Sequence, residues 1–238
     1  MFGLFTHKQT LVKSGFFYGI TDYHSHILPG VDDGVHSIEE SLVILDYYEN
    51  LGVKKVILTP HIMEDMPQDI SDLRLRFETL KSEYNGTVEL SLAAEYMLDY
   101  SFFSILDSGD MLTLWDNYLL VEMSYAQPVL NIFEYVELII AKGYYVVLAH
   151  PERYLYLNPD EYKQLRDIGV KFQLNFISLL GAYGSKVKKR AYKLLNSSMY
   201  DIMGSDIHKL HYHQKLIDSI TLSRHTIKQL QSLNRMGL

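Results

Sequence analysis

A chain of 238 residues with 47% hydrophobic and 21% charged side chains, and with no biased tract, reads as globular and is long enough to enclose one sizeable core. Its formal charge of -7 argues against a nucleic-acid partner or a broad anionic-membrane footprint, since either demands a strongly basic face. The absence of cysteine removes disulfides, thiolate metal sites and every hydrolytic route through a cysteine nucleophile, so any attacking group must be another side chain or a water.

The opening stretch "MFGLFTHKQTLVKSGFFYG" lacks both a long apolar core and a small-residue cleavage site, and no run of about 18 apolar residues occurs anywhere. We therefore expect no membrane insertion and a cytoplasmic location. Residues 1–18 read as an N-terminal extension whose phenylalanines and Leu4 pack on the body or on another subunit. From there, apolar runs alternate with amphipathic ones. The strand "GITDYH" leads to a helix over "SIEESLVILDYYENLG", where Ser37 and Glu40 form a capping box and Gly52 follows the last turn. "KKVILTPH" leads to "DISDLRLRFETLKSEYNG", and "TVELSLAAEY" and "NYLLVEMS" lead to "PVLNIFEYVELIIAKG". "YYVVLAHPER" leads to "NPDEYKQLRDIG", "VKFQLNF" to "SKVKKRAYKLLNSS", and "DIMGSDIH" is the last strand, followed from about Leu222 by a C-terminal helix. Seven strands alternating with helices imply parallel βαβ units and hence a closed or nearly closed α/β barrel. No linker divides residues 19–238, which read as one domain.

Metal-binding residue types recur where these strands end. The first ends in His24 and His26, the second in His61, the third in Glu95, the fourth in Glu122, the fifth in His150, and the last in Asp206 with His208; the sixth offers only Asn175. In such barrels the C-terminal strand ends share one mouth, so these side chains would meet although they are far apart in sequence. Each alone has an ordinary reading, as a residue sharing a strand face or a polar residue in a turn. Together, carboxylates and imidazoles converging without cations would repel one another or stay unsatisfied, and bound divalent metals remove that conflict. In "DDG", Asp32 and Asp33 either shape the turn before Ser37 or supply one more ligand, with His36 as a competing donor. Among nineteen tyrosines, Tyr96, Tyr125, Tyr154 and Tyr183 fall near strand ends, where core or rim positions are the ordinary reading. The run "SKVKKRAYK" reads as a solvated helix face or a docking surface for an acidic partner.

The ordered blocks "DYHSHILPGVDDG", "LTPH", "AAEY", "LVEMS", "LAHPERY" and "GSDIH" resemble the PHP (polymerase and histidinol phosphatase) superfamily. Within it they resemble the bacterial manganese-dependent protein-tyrosine phosphatases of capsule and exopolysaccharide operons, the CpsB/YwqE type, from about Ile20 to Leu210. The resemblance implies a distorted TIM-like barrel of seven β/α units and a three-metal cluster. His24, His26, Glu95 and Asp206 would hold one metal, Glu95, Glu122 and His150 a second, and Asp33, His61 and His208 a third, which prefers Asp33 over Asp32 and His36. It favours Mn²⁺, while nitrogen and oxygen donors also suit Fe²⁺ or Zn²⁺. Some relatives carry basic residues after the second-strand histidine; here the segment is "HIMEDM".

Clustered divalent metals lower the pKa of a shared water, supplying near neutral pH the hydroxide nucleophile that the missing cysteine cannot. Arg153, three residues beyond His150, is the candidate phosphate ligand, since its guanidinium forks onto such oxygens; without the resemblance, a salt bridge to Glu152 or a surface carboxylate is equally acceptable. Asp206 and His208 are candidates to assist through the nucleophilic water. The implied substrate is a phosphotyrosine protein, an autophosphorylating bacterial tyrosine kinase controlling polysaccharide export. The alternatives are a small-molecule phosphatase such as histidinol-phosphatase, a phosphodiesterase or nuclease on the same cluster, or a non-catalytic metal-binding scaffold.

Overall fold

The structure, a computed structural model, describes residues 8–126, 128 and 131–235. The expectation that Phe2, Leu4 and Phe5 pack on the body lies outside these residues. In chain order the elements are β1 (Lys8–Thr10), β2 (Thr21–Ser25), α1 (Ile38–Leu51), β3 (Lys55–Leu58), β4 (His61–Ile62), α2 (Ile70–Glu83), β5 (Glu89–Leu92), β6 (Glu95–Met97), α3 (Phe102–Ser108) and β7 (Tyr118–Glu122). There follow α4 (Ile132–Ala141), β8 (Tyr145–Ala149), α5 (Pro159–Asp167), β9 (Lys171–Asn175), α6 (Gly184–Asn196), β10 (Ile202–Gly204), α7 (Leu210–Ser219), β11 (Thr221–Ser223) and α8 (Arg224–Arg235). Short 3-10 turns follow β8, at Pro151–Arg153, and β9, at Phe176–Leu180.

A mixed α/β fold results, built on parallel sheets. Six strands run in the order β10-β9-β8-β7-β6-β4 and three more as β2-β3-β5. Two strands that the sequence reads as continuous are broken. One gives β3 and β4 across Thr59 and Pro60, the other β5 and β6 across Ala93 and Ala94. Pro60 has no N–H to give a ladder, and there the strand changes partners: β3 pairs with β2 and β5, β4 with β6. The Thr59 N–H donates to the Ser25 carbonyl, and the Glu95 N–H to the Pro60 carbonyl. At the other side, the His26 N–H donates to the Ile207 carbonyl and the Asp206 N–H to the His24 carbonyl, so the segment after β10 runs alongside β2.

Strands buried on both faces read as unbroken apolar runs rather than alternating ones, and β7 and β8 show why. Leu119, Val121, Val146 and Leu148 pack in the large cluster shared with the helices, whereas Leu120, Val147 and Ala149 join Tyr23, Ile57, Ala93 and Ile202 in a second, smaller cluster. Phe16 and Phe17 are buried in the large cluster and pack edge-on against Phe176, and β1 pairs antiparallel with β11.

Helix ends follow their capping residues. Ser37 accepts from the Glu40 N–H, and Gly52 closes α1 at φ 80, where a side chain would be strained. The expected capping box is only half formed, because Glu40 accepts from the His36 N–H and not from that of Ser37. A complete box stands instead at Asn158 and Glu161, ahead of α5.

Candidate metal centre

The interruptions in the strands position the site. The β2–β3 register shifts between Asp22 and Ser25, the stretch that carries His24, and such irregularities re-aim side chains. His61 and Glu95 open the short strands that follow the two breaks, Glu122 ends β7, and His150, Asp206 and His208 follow β8 and β10. His150 at φ 31 and Asp206 at φ 54 occupy the left-handed region, costly for a residue with a Cβ and found where surrounding structure holds a side chain in place.

All nine side chains singled out by the sequence come together. Their donor atoms form four overlapping groups within 4.8 Å: His26, Asp33, His61 and His208; His24, Glu95 and His150; His24, His26 and Asp206; and His61, Glu95 and Glu122. His24 Nε2 and His26 Nε2 are 3.0 Å apart, with Glu95 Oε2 3.1 Å from the first and Asp206 Oδ1 3.3 Å from the second. His150 Nε2 lies 3.0 Å from Glu95 Oε1, and His208 Nε2 lies 3.2 Å from Asp33 Oδ1. The grouping differs from the expected partition: His26 also joins Asp33, His61 and His208, His24 joins Glu95 and His150, and Glu122 groups with His61 and Glu95. Glu122 lies nearer His61, at 2.9 Å, than His150, at 3.8 Å.

The outward nitrogens of four imidazoles are each held by a partner: His24 Nδ1 by Gln173 Oε1 at 3.1 Å, His26 Nδ1 by Asp32 Oδ2 at 2.8 Å, His150 Nδ1 by the Tyr154 hydroxyl at 3.3 Å, and His208 Nδ1 by the Asp206 carbonyl at 3.0 Å. An accepting oxygen at Nδ1 fixes the tautomer of His24, His26 and His208 and leaves Nε2 as the inward lone pair, the arrangement that metal-ligating histidines show, while the Tyr154 hydroxyl orients His150. Asp32 and Asp33 are thereby separated. Asp32 turns to His26 and accepts from the His61 and Gly34 N–H groups, while Asp33 faces His61 and His208. His36 is in none of the four groups.

The residues fit a cation. His61 Nδ1, Glu95 Oε2 and Glu122 Oε1 are buried without any partner in hydrogen-bonding geometry, although they lie about 3 Å from one another. Orphaned buried donors of this kind are costly unless an ion satisfies them. Electrostatics points the same way: burial pushes the Glu95 carboxyl up, yet the facing imidazoles of His24, His150 and His26 hold it well below the usual range. Burial and the neighbouring His26 lower His61, but Glu122 and Glu95 override them and raise it to about 10. The carboxylates likewise outweigh burial to raise His24 and His26, whereas burial and the neighbouring Arg153 lower His150.

Arg153 does not pair with Glu152. Glu152 points inward, accepting from the Asn175 N–H and the Ser178 and Tyr200 hydroxyls, and burial raises its carboxyl to about 7. The Arg153 guanidinium instead reaches Asp206 Oδ2 at 3.3 Å and lies over the rings of Tyr183, at 4.6 Å, and Tyr125, at 5.2 Å. It lines a cleft of about 570 Å³ together with Asp33, His61, Glu122, Asp206 and His208. Methionines 63, 66 and 97 form part of its wall. Of the four tyrosines near strand ends, Tyr96 is core, Tyr154 braces His150, and Tyr125 and Tyr183 flank the guanidinium. Of the supporting residues, Asn175, Tyr154 and Tyr183 stood out in the sequence only by their place near strand ends, and Gln173 not at all. Asn175 and Tyr183 both donate to Asp206 Oδ2.

Known proteins are similar to this chain in sequence and fold. Tyrosine-protein phosphatase CpsB of Streptococcus pneumoniae is 30% identical over 201 residues, covering 79% of this chain and 83% of its own. Tyrosine-protein phosphatase YwqE of Bacillus subtilis is 26% identical over 205 residues, covering 79% and 77%. A crystal structure from the set comprising YwqE and CpsB, described as unique metal-dependent tyrosine phosphatases, superposes with a TM-score of 0.75 at 23% identity, over 90% of this chain and 85% of the other, and so shares its fold. Residues 20–229 match the sequence model of the CpsB/CapC capsular polysaccharide synthesis family, and the chain belongs to that family.

Proposed function

We propose that this protein is a metal-dependent protein-tyrosine phosphatase whose site is the cleft above β2, β4, β6, β7, β8 and β10. The observation that carries the reading is the convergence of nine nitrogen and oxygen donors with one guanidinium at the wall of the same cleft. In this reading the strands close into a distorted (β/α)7 barrel over residues 19–238, with residues 1–18 as an extension. His24, His26, Glu95 and Asp206 hold one metal, Glu95, Glu122 and His150 a second, and Asp33, His61 and His208 a third, with Mn²⁺ the preferred ion and Fe²⁺ or Zn²⁺ as alternatives. When bound, such ions supply an activated water and clamp phosphoryl oxygens.

The chain's own residues do the rest. Arg153 forks onto the phosphoryl oxygens, and its stacking between Tyr125 and Tyr183 keeps the fork aimed without costing it charge. The methionine wall takes the aromatic ring of the substrate, since thioether sulfur packs well against ring edges. Asp206 and His208 assist by orienting the attacking water. A phenol leaves with a pKa of about 10, so no strong acid is needed for its departure. The substrate is a phosphotyrosine protein, and we infer a cytoplasmic bacterial tyrosine kinase that controls polysaccharide export. Among the described residues, no helix is long and apolar enough to cross a membrane.

The deciding assay compares a phosphotyrosine peptide, histidinol phosphate and single-stranded DNA, with and without Mn²⁺, on wild type and on His150→Ala. We expect Mn²⁺-dependent turnover of the peptide, lost in the variant with its far-UV spectrum retained. Turnover confined to histidinol phosphate or DNA rejects the reading.

A further inference from the structure

One surface is left over by this chemistry. Helix α6, with the sequence GSKVKKRAYKLLN, carries Lys186, Lys188, Lys189, Arg190 and Lys193 and no acidic residue, in a chain whose net charge is -7. At about 100° per residue, Lys186, Lys189, Arg190 and Lys193 fall within one stripe roughly 100° wide, opposite the buried Val187, Ala191 and Leu195. The three lysines of the stripe are exposed. None of the ion pairs among the described residues involves α6. The stripe also has a built anchor. A slot of about 250 Å³ has Pro159, Tyr162, Leu194 and Met199 among its lining, with Lys163 and Lys193 beside them and Arg190 held in place by the Leu157 carbonyl and the Tyr162 hydroxyl.

We propose that this face is an exosite for an acidic segment of the phosphoprotein substrate, a proposal that rests on the phosphatase reading above. Continuity with the cleft carries it. Tyr183, which lies under Arg153 in the cleft wall, is the residue from which α6 starts. A chain leaving the cleft on that side therefore runs along the cationic stripe. A different wall carries Met63 and Met66, which bracket the exposed Glu64 and Asp65, so a chain leaving there meets negative charge. The cleft is thus electrostatically polarised, and acidic residues are favoured on one side of the phosphotyrosine only. From Tyr183 to Lys193 the helix rises about 15 Å, which an extended peptide spans in about four or five residues. The slot, with an apolar lining and a cationic rim, suits an anionic side chain at that spacing, carboxylate or phosphate.

The test uses the full chain loaded with Mn²⁺ and three kinds of phosphotyrosine peptide. These carry glutamates, or a second phosphotyrosine, about five residues to one side, the same to the other side, or neutral residues. Wild type should prefer one acidic orientation, and Lys189→Glu/Lys193→Glu should raise KM for that peptide on the order of tenfold with kcat unchanged, an effect that fades at 1 M salt. Turnover of p-nitrophenyl phosphate should not change, and reversal of the same two charges at Lys13 and Lys54 should leave the preference intact. Binding of the fluorescent peptide, measured by anisotropy in EDTA, should weaken in parallel; that arm stands even where no turnover is seen, which would be the failure of the phosphatase reading alone. Equal KM values for the three peptides, or an anisotropy unaffected by the reversal, overturn the exosite. So does pelleting with vesicles of anionic lipid that the reversal abolishes while peptide kinetics stay unchanged, since the stripe would then serve a membrane surface.

Discussion

Asp32 and Asp33 are adjacent, carry the same side chain and act on different groups. Asp32 holds His26 by its outer nitrogen, and Asp33 faces His61 and His208. The sequence alone leaves Asp33 and His36 as rivals, because a turn's side-chain directions depend on backbone angles that composition does not reveal. Asp33→Asn should lower the metal bound per chain by up to one equivalent, measured by elemental analysis after gel filtration, and His36→Ala should leave it unchanged; the reverse result would exchange their roles. A second residue-scale test concerns His213, buried with neither ring nitrogen hydrogen-bonded and held down to about 4 by desolvation. Its folded pKa lies below the unfolded value of about 6.5, so between those limits the unfolded chain binds more protons and stability falls as pH drops. His213→Leu should flatten this dependence relative to wild type by about 3 kcal/mol between pH 7 and 4, read as the difference between two urea-midpoint profiles. Identical profiles would show that the imidazole is not held neutral.

At the level of elements, strands were legible because burial on both faces makes them apolar throughout, but their breaks were not. "KKVILTPH" reads as one strand since nothing local says that β3 and β4 change partners at Pro60. Two helices escaped sequence reading for related reasons. α3 is seven residues long and has no side-chain cap bond, and α7 has no such bond either and buries only His213 and Ile217. β1 and β11, three residues each, pair only with one another. The most exacting element is β10, where a Cβ on Gly204 would lie 2.4 Å from the His24 Cβ and 2.8 Å from the His24 nitrogen. Gly204→Ala should force β10 away from β2, lowering stability by about 1–3 kcal/mol and displacing His24. The expected signature is a loss of metal binding larger than the loss of thermal stability explains. A variant that binds metal normally would mean the strands can part without disturbing the site.

Over the whole molecule, eight of the nine donors, all but Asp33, were legible from sequence because each sits at or just after a strand terminus and those positions are set by topology, not by side-chain detail. What was not legible is the polar scaffolding behind them, Gln173, Asn175, Asp32 and Tyr183, whose roles exist only once distant strands are neighbours. Because the donors belong to six different strands, an ion bound there ties much of the fold together. Saturating Mn²⁺ should therefore raise the melting temperature, by the equivalent of about 2.7 kcal/mol at a hundredfold excess over Kd, and EDTA should reverse it. An unchanged melting curve would place the ions outside the cooperative unit.

The bond from the Ser205 N–H to Asp22 Oδ1 joins residues 183 positions apart, at the junction of β2 with the segment after β10. During synthesis at roughly 5–20 residues per second, the first two histidines leave the ribosome about 10–40 s before the aspartate and histidine that complete their site. For that interval the nascent chain carries an incomplete cage, without Asp206 and His208. The cluster can therefore close only near the end of synthesis, and a chain that stops before residue 206 carries seven of its nine donors and lacks the pair that follows β10.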